Sequence, residues 1–252
     1  MEKKWSRTPK HILRTECIKF ATTEWPTGSF VEFGAGTGDI TRYFLEAGFH
    51  GKCYDLGDEN RNILRRNLAR YKEQVEVVDD PALLVDETFD YLFAFEVLEH
   101  IKNDQDVLAE WTKKLKRNGM LLISVPAHQR KFSEEDDWVG HVRRYEKSEL
   151  FDLLLQSGYQ DIKIFNYGFP LGNITRLVSR ALHRHKKAER SGDTPEERSI
   201  KSGVERISEA NGLSFLSNVL LLKPFIGVQS LFFNRDWGDG YVVTATKRTD
   251  NP

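Results

Sequence analysis

Apolar positions along this chain follow two periods. Mainly apolar runs of strand length lie at Phe30 to Phe33, Val75 to Val78, Phe89 to Phe95, Met120 to Val125, Ile162 to Phe165 and Gly240 to Thr246. Gly51 to Asp55 has the character of one more strand, closing on an acid. Between the runs the spacing becomes helical. Tyr43, Phe44 and Ala47 share one face and stop at Gly48. Val107, Leu108, Trp111 and Leu115 follow the capping acids Asp104 and Asp106 and are expected to end at Asn118-Gly119, and Ser148 to Gln156 closes at Gly158. Strands alternating with helices of this length predict an α/β fold, a mainly parallel sheet covered on both faces.

The first run leads directly into chemistry. Residues 30 to 40 read Phe-Val-Glu-Phe-Gly-Ala-Gly-Thr-Gly-Asp-Ile, a strand with Glu32 near its end running into Gly34, Gly36 and Gly38. Glycines there permit a tight strand-to-helix turn and let a ligand lie against the main chain. A dinucleotide fold requires Gly-x-Gly-x-x-Gly, and the third position here is Asp39. A carboxylate at that helix start repels a diphosphate, which disfavours a nicotinamide-dependent oxidoreductase and points to a cationic or neutral ligand. Asp55, one strand later, can accept hydrogen bonds from two ribose hydroxyls; the competing reading is a turn aspartate beside Gly57.

The pattern Glu-x-Gly-x-Gly-x-Gly resembles the first motif of class I S-adenosylmethionine-dependent methyltransferases, and the run Glu96-Val-Leu-Glu-His-Ile101 is similar to the fourth motif of that family. The resemblance implies a Rossmann-like, doubly wound seven-stranded sheet with an antiparallel last strand. It implies S-adenosyl-L-methionine as cofactor, with Glu32 serving its amino acid part, Asp79 or Asp80 its adenine, and Glu96 facing it. Which of the two aspartates meets adenine is left open, because the family's usual glycine is missing from the preceding loop. The chain resembles the small-molecule type and is similar to the ubiquinone-pathway O-methyltransferase-like group.

At 252 residues, 39% of them hydrophobic, the chain is of ordinary size for one methyltransferase domain over 1–252. A net charge of −1 gives no basic footprint, so a nucleic-acid acceptor is disfavoured. Cys17 and Cys53 have neither metal nor disulfide spacing, and the N-terminus lacks the apolar core of a signal peptide; both favour a cytoplasmic location. Helix signals at Thr8-Pro9, followed by Ile12, Leu13, Cys17 and Phe20, mark 1–28 as an N-terminal segment whose helix, by the resemblance, lids the cofactor.

Residues 168–238 form a helical insertion before the last strand, far longer than a usual connection, and are expected to shape the acceptor site. Ile174, Leu177, Val178, Ala181 and Leu182 have helical spacing, and 183–190 is a largely basic run. Thr194-Pro-Glu-Glu197 is a capping-box helix start. Leu213 to Phe233 is apolar, but Asn218, Lys223, Pro224 and Gln229 interrupt it, so it is read as packed on the sheet, with a lipid-facing helix as the alternative.

Methyl transfer is an in-line displacement, so positioning supplies much of the rate and a base is needed only when the nucleophile carries a proton. Candidate acceptor-side histidines are His100, His128 and His141, with His100 and His141 preferred as catalytic. Arg143 or Arg144 could fork onto an acceptor anion or instead pair with the acids 134–137. Glu96, Glu99, His100 and His141 also resemble the metal site of small-RNA 2′-O-methyltransferases, a metal-assisted RNA alternative; the preferred reading assigns no metal. A cofactor-binding protein without turnover is the remaining alternative. The expected partner is a small-molecule acceptor methylated at oxygen or nitrogen, carrying an anionic or lipid part; peripheral membrane contact and oligomeric state are left open.

Overall fold

The computed structural model describes residues 8–173, 194, 197–198 and 219–249. Seven strands form one sheet: β1 (Ser29–Phe33), β2 (His50–Tyr54), β3 (Val75–Val77), β4 (Phe89–Phe95), β5 (Leu115–Pro126), β6 (Tyr159–Tyr167) and β7 (Gly240–Lys247), in the order β3-β2-β1-β4-β5-β7-β6. The helices are α1 (Pro9–Ala21), α2 (Asp39–Glu46), α3 (Asp58–Asn67), α4 (Asp104–Lys113), α5 (Glu134–Val139), α6 (Lys147–Gln156) and α7 (Val219–Ser230). Parallel pairing joins β3, β2, β1, β4 and β5, with Glu32 opposite Cys53 and Phe93. The last strand runs against its neighbour: Arg248 donates its amide to Gly158 O at one end, and Asp239 donates to Tyr167 O at the other, each at 2.9 Å. This is the doubly wound, mixed sheet that the family resemblance implied.

Internal packing divides the chain into two compact units, one of Met1–Thr23, Val125–Lys147 and Ile164–Val242, the other of Glu24–Ser124, Ser148–Lys163 and Val243–Pro252. In the second unit, strands buried on both faces make the core: Leu92, Phe93, Leu121, Leu122 and Ile123 are fully buried. Phe93 stacks between Phe30 at 5.3 Å and Phe44 at 4.3 Å, so α2 is pinned on the sheet by its aromatic residue. Gly48 closes α2 at φ 93°, donating to Leu45 O, and Phe49 donates back to Phe44 O; only a residue tolerant of that backbone stops the helix there.

In the first unit α1 packs against α7. Thr8 caps α1 by accepting the His11 amide at 3.2 Å, with Pro9 in the first turn. Buried Gln229 bridges two backbones, donating to Leu13 O at 3.0 Å and accepting the Gly168 amide at 3.1 Å. Glu197 accepts from the Thr194 amide at 2.8 Å, and Thr194 Oγ1 accepts the Glu197 amide at 3.2 Å, the reciprocal pair of a capping box. The helical spacing at 174–182, the basic run and most of the helix after Glu197 lie outside the described residues. No described helix is long and apolar enough to cross a membrane.

Two expectations change. The helix over Asp104 stops at Lys113 rather than at Asn118-Gly119, and β5 begins at Leu115. Asn118 sits at φ 58° inside an irregularity where Phe89 faces Leu115 but Tyr91 faces Met120, so the asparagine serves a strand bulge, not a helix end. Helix α3 was not expected, because its polar sequence carries few apolar residues; Leu64 alone among them is fully buried.

Candidate active site

The glycine turn lies in the second unit, at the carboxyl end of β1. Glu32 is buried and accepts a 2.6 Å hydrogen bond from Thr41 Oγ1 of α2, which ties strand to helix beneath the turn. Gly34, Gly36 and Gly38 have φ of 71°, 57° and 77°, a region that side chains disfavour. A Cβ on Gly34 would stand 2.4 Å from Val97 Cγ2, whereas one on Gly36 would meet nothing within 4 Å. Packing therefore explains the first glycine, and an open cradle explains the second. Asp39 starts α2 and pairs with Arg42 at 2.5 Å, so the acid in place of a third dinucleotide glycine complements the helix dipole and is itself neutralised.

Asp55 is buried just past β2. Its Oδ2 accepts the Gly36 amide at 2.6 Å, and its Oδ1 faces Asn60 Nδ2 at 3.4 Å. Tyr54 O takes the Gly34 amide at 2.8 Å, so β2 and the turn are clasped together. Burial pushes the Asp55 carboxyl above its usual value, opposed mainly by the Gly36 hydrogen bond. The two aspartates after β3 have separate roles. Asp79 accepts from Arg65 Nη2 at 2.6 Å and from Arg61 Nε at 3.3 Å, and the Arg65 hydrogen bond leads in holding it below the usual carboxylate range. Asp80 Oδ1 accepts the Ala82 amide at 2.8 Å and caps the turn that follows. The sequence reading missed Arg61 and Arg65; their spacing of four, one turn after Asp55, was the available signal.

Glu96 ends β4 at φ 57°, with its amide donating to Ser124 O at 2.8 Å and its Oε1 facing Ser124 Oγ at 3.4 Å. A glutamate held in the left-handed region is a local strain of the kind concentrated at functional sites. Glu99, fully buried, and His100, half-buried, sit in the single turn Leu98–His100 that follows.

In the first unit the chain beyond β5 is organised by Asp136 of α5. Buried Asp136 Oδ2 accepts from the Ser133 amide at 2.8 Å, while its Oδ1 meets His141 Nδ1 and Arg144 Nε, each at 2.9 Å. Burial raises this carboxyl, but the His141 hydrogen bond and the Arg144 charge more than reverse that and leave it well below the ordinary range. Arg144 also reaches Ala127 O and Asp239 Oδ1 at 3.4 Å, so its guanidinium is used inside the loop; the acid-paired reading of the arginines holds for this one. Asp137 takes Arg198 instead. Bonding through Nδ1 to a carboxylate gives His141 the tautomer whose Nε2 carries the lone pair. His128, two residues past β5, is 3% exposed at φ 65°, its Nδ1 3.5 Å from Glu146 Oε2 and its Nε2 3.6 Å from Asp236 Oδ1. Sequence spacing could not pair residue 128 with residue 236.

A clasped glycine cradle, an acid after each of the next strands and a strained glutamate closing β4 are joined by one further finding: the model of the family described as "Methyltransferase domain" matches residues 6–164, more than half of the chain. The chain belongs to the methyltransferase domain family. S-adenosylmethionine is that family's cofactor, and the open space above Gly36 beside Asp55 suits a ligand of its kind. No curated relative matches the chain by sequence. Among solved structures, a Haemonchus contortus phosphoethanolamine N-methyltransferase 2, in complex with phosphomonomethylethanolamine and S-adenosylhomocysteine, superposes with a TM-score of 0.57 at 16% identity, over 94% of this chain and 52% of that one. The chain thus spans about half the length of that neighbour. A Thermotoga maritima methyltransferase described as a possible histamine N-methyltransferase gives 0.54 at 18%, over 96% and 90%. The [4+2]-cyclase SpnF gives 0.54 at 14%, over 93% and 80%. At these identities the likeness is one of fold, and the cyclase illustrates that this fold does not by itself dictate the reaction.

Proposed function

We propose that the chain is an S-adenosylmethionine-dependent methyltransferase that methylates a small-molecule acceptor at nitrogen or oxygen. The observation that carries this reading is the Gly36 cradle with Asp55 bonded into it. When bound, S-adenosylmethionine supplies a methyl group on an activated sulfonium. Glu32, through the turn it anchors, and Gly34, Gly36 and Gly38 hold the amino acid part; Asp55 receives the ribose hydroxyls; Glu96 closes the bed from β4. Asp80 is assigned to adenine, because Asp79 is already taken by two arginines.

On the acceptor side, His141 is assigned as the base. Asp136 orients its ring and leaves Nε2 as the proton acceptor, which is the arrangement general base catalysis requires. His100 is assigned as a second polar contact to the acceptor. The 168–238 insertion is assigned to acceptor binding and the helix within 1–28 to covering the cofactor. Backbone amide spectra test the cradle: S-adenosylmethionine should shift the amides of residues 34–38 while NADH leaves them in place, and unmoved glycine amides at saturating S-adenosylmethionine would overturn the reading.

A further inference from the structure

Backbone hydrogen bonds fix neighbouring strands only as far as their ladder runs. The paired register of β2 and β3 ends at Cys53 and Val77, and Val78 adds a last amide bond to Cys53 O at 2.9 Å. Asp55 and Asp79 lie beyond it, where side chains of α3 take over. Arg61 Nη1 donates to Asp55 O at 2.8 Å, and its Nε donates to Asp79 Oδ1 at 3.3 Å. Arg65 Nη2 donates to Val77 O at 3.1 Å and to the same Asp79 oxygen at 2.6 Å. One carboxylate on the β3 side thus braces both guanidiniums, and one of those guanidiniums holds the main chain of the acid assigned to the ribose.

Arg61 is only 9% exposed, a depth at which its residue type is rarely found unless paired. Its Nη2 pairs with Asp58, whose side chain is 90% exposed, so that contact contributes little to stability. The guanidinium also lies 5.7 Å from the centre of the ring of Tyr54, the residue before Asp55. Its ties run in three directions at once, a span that the rigid planar fork of a guanidinium covers and a single ammonium nitrogen does not. Asp55 is consequently held from both sides. Arg61 fixes its carbonyl and the Gly36 amide its Oδ2, while Asn60, tied to Leu56 O at 2.9 Å, stands 3.4 Å from Oδ1. A carboxylate offers about four acceptor positions, so two remain for the hydroxyls of a ribose.

We propose that Arg61 is a positioning residue for the ribose of the cofactor, acting through Asp55 and braced by Asp79 and Arg65. Its donors are directed at protein oxygens, so it controls the placement of the acid rather than a ligand contact of its own. A diol held by one carboxylate is a bidentate contact, and both acceptor oxygens must stand within about 0.5 Å of their productive places. Releasing the Asp55 carbonyl lets the acid drift with the end of β2 while Gly36 still holds one oxygen, so the two ribose bonds are no longer made together. The role deepens the methyltransferase reading and rests on it, because Asp55 meets a ribose only under that reading.

The test uses the full chain and calorimetric titration with S-adenosylhomocysteine and with its dideoxy counterpart, which lacks both ribose hydroxyls. The wild type should bind the first at least about tenfold more tightly. Arg61→Met keeps the apolar stem and should remove most of that difference, weakening S-adenosylhomocysteine about tenfold and leaving the dideoxy ligand within about twofold. Arg61→Lys should not restore the difference, because charge without the fork cannot span the ties. In an Asp55→Ala background Arg61→Met should cost nothing further, as for two residues acting as one unit. Asp79→Asn, at a side chain 71% exposed, should give the same ribose-selective loss at about two- to fivefold, and it carries the comparison should Arg61→Met not fold. Equal losses for the two ligands, losses additive with Asp55→Ala, full rescue by Arg61→Lys, or no loss in either variant overturns the positioning role. A wild type that binds the two ligands equally removes Asp55 from the ribose and the role of Arg61 with it. A wild type that binds neither of them, nor S-adenosylmethionine, would instead overturn the methyltransferase reading.

Discussion

The Asp55 carboxylate accepts the Gly36 amide at 2.6 Å, so the acid assigned to the cofactor's ribose is also the group that shapes the glycine turn. This double duty has a cost. A carboxyl whose pKa is raised on folding stabilises the fold fully below its unfolded value of about 3.9, and loses that contribution as pH rises through the folded value. At neutral pH the wild type therefore holds a buried charge that favours unfolding.

Asp55→Asn keeps an acceptor for the Gly36 amide and removes the charge. It should raise the melting temperature of the ligand-free protein at pH 7 and lower S-adenosylmethionine affinity about tenfold, the loss of one charged acceptor. Thermal unfolding with and without ligand checks both signs; a variant that loses stability and affinity together would place Asp55 in the scaffold alone.

The glycines separate by substitution. Gly36→Ala meets open space, so it should fold with a loss of about 1 kcal/mol from its φ and yet bind S-adenosylmethionine poorly, because the methyl group fills the cradle. Gly34→Ala runs into Val97 and should lose about 2–4 kcal/mol. Urea unfolding paired with ligand titration measures both effects.

Asp136→Ala should be among the most destabilising single changes, at about 3–5 kcal/mol, since it leaves Arg144 buried without its main carboxylate. The lowered folded pKa of Asp136 means that its contribution is present above the unfolded value of about 3.9 and is lost as pH falls through the folded one. Acid unfolding of the wild type should accordingly steepen below about pH 4, and the variant should lack that component.

His141→Gln should lower methyl transfer to a protonated acceptor by about 10²- to 10⁴-fold and leave S-adenosylmethionine affinity unchanged. Initial rates with methyl-labelled cofactor check this. An unaltered rate would remove His141 from the chemistry and leave it a loop tie to Asp136.

Much of this was legible from local pattern. Phe89 to Phe95 is β4 residue for residue, and Thr194 with Glu197 forms the capping box its spacing promised, because both signals depend on neighbours in sequence. Asn118-Gly119 misled, since asparagine in the left-handed region serves helix ends and strand bulges alike. Helix α3 escaped because Arg61 and Arg65 are held by Asp79, with Arg61 also bonded to Asp55 O, and those ties carry no apolar period. The surroundings of His128 were invisible for a different reason: Asp236 and Tyr241 come from the far side of a long insertion, and only the antiparallel return of β7 brings them there.

The central claim is that the turn at Gly36 is a bed for S-adenosylmethionine, and calorimetric titration of the full chain tests it most directly. S-adenosylmethionine should bind the wild type at one site and bind Asp55→Ala far more weakly, while NADH produces no heat of binding. Binding of NADH in its place, or S-adenosylmethionine affinity indifferent to Asp55→Ala, would contradict the account.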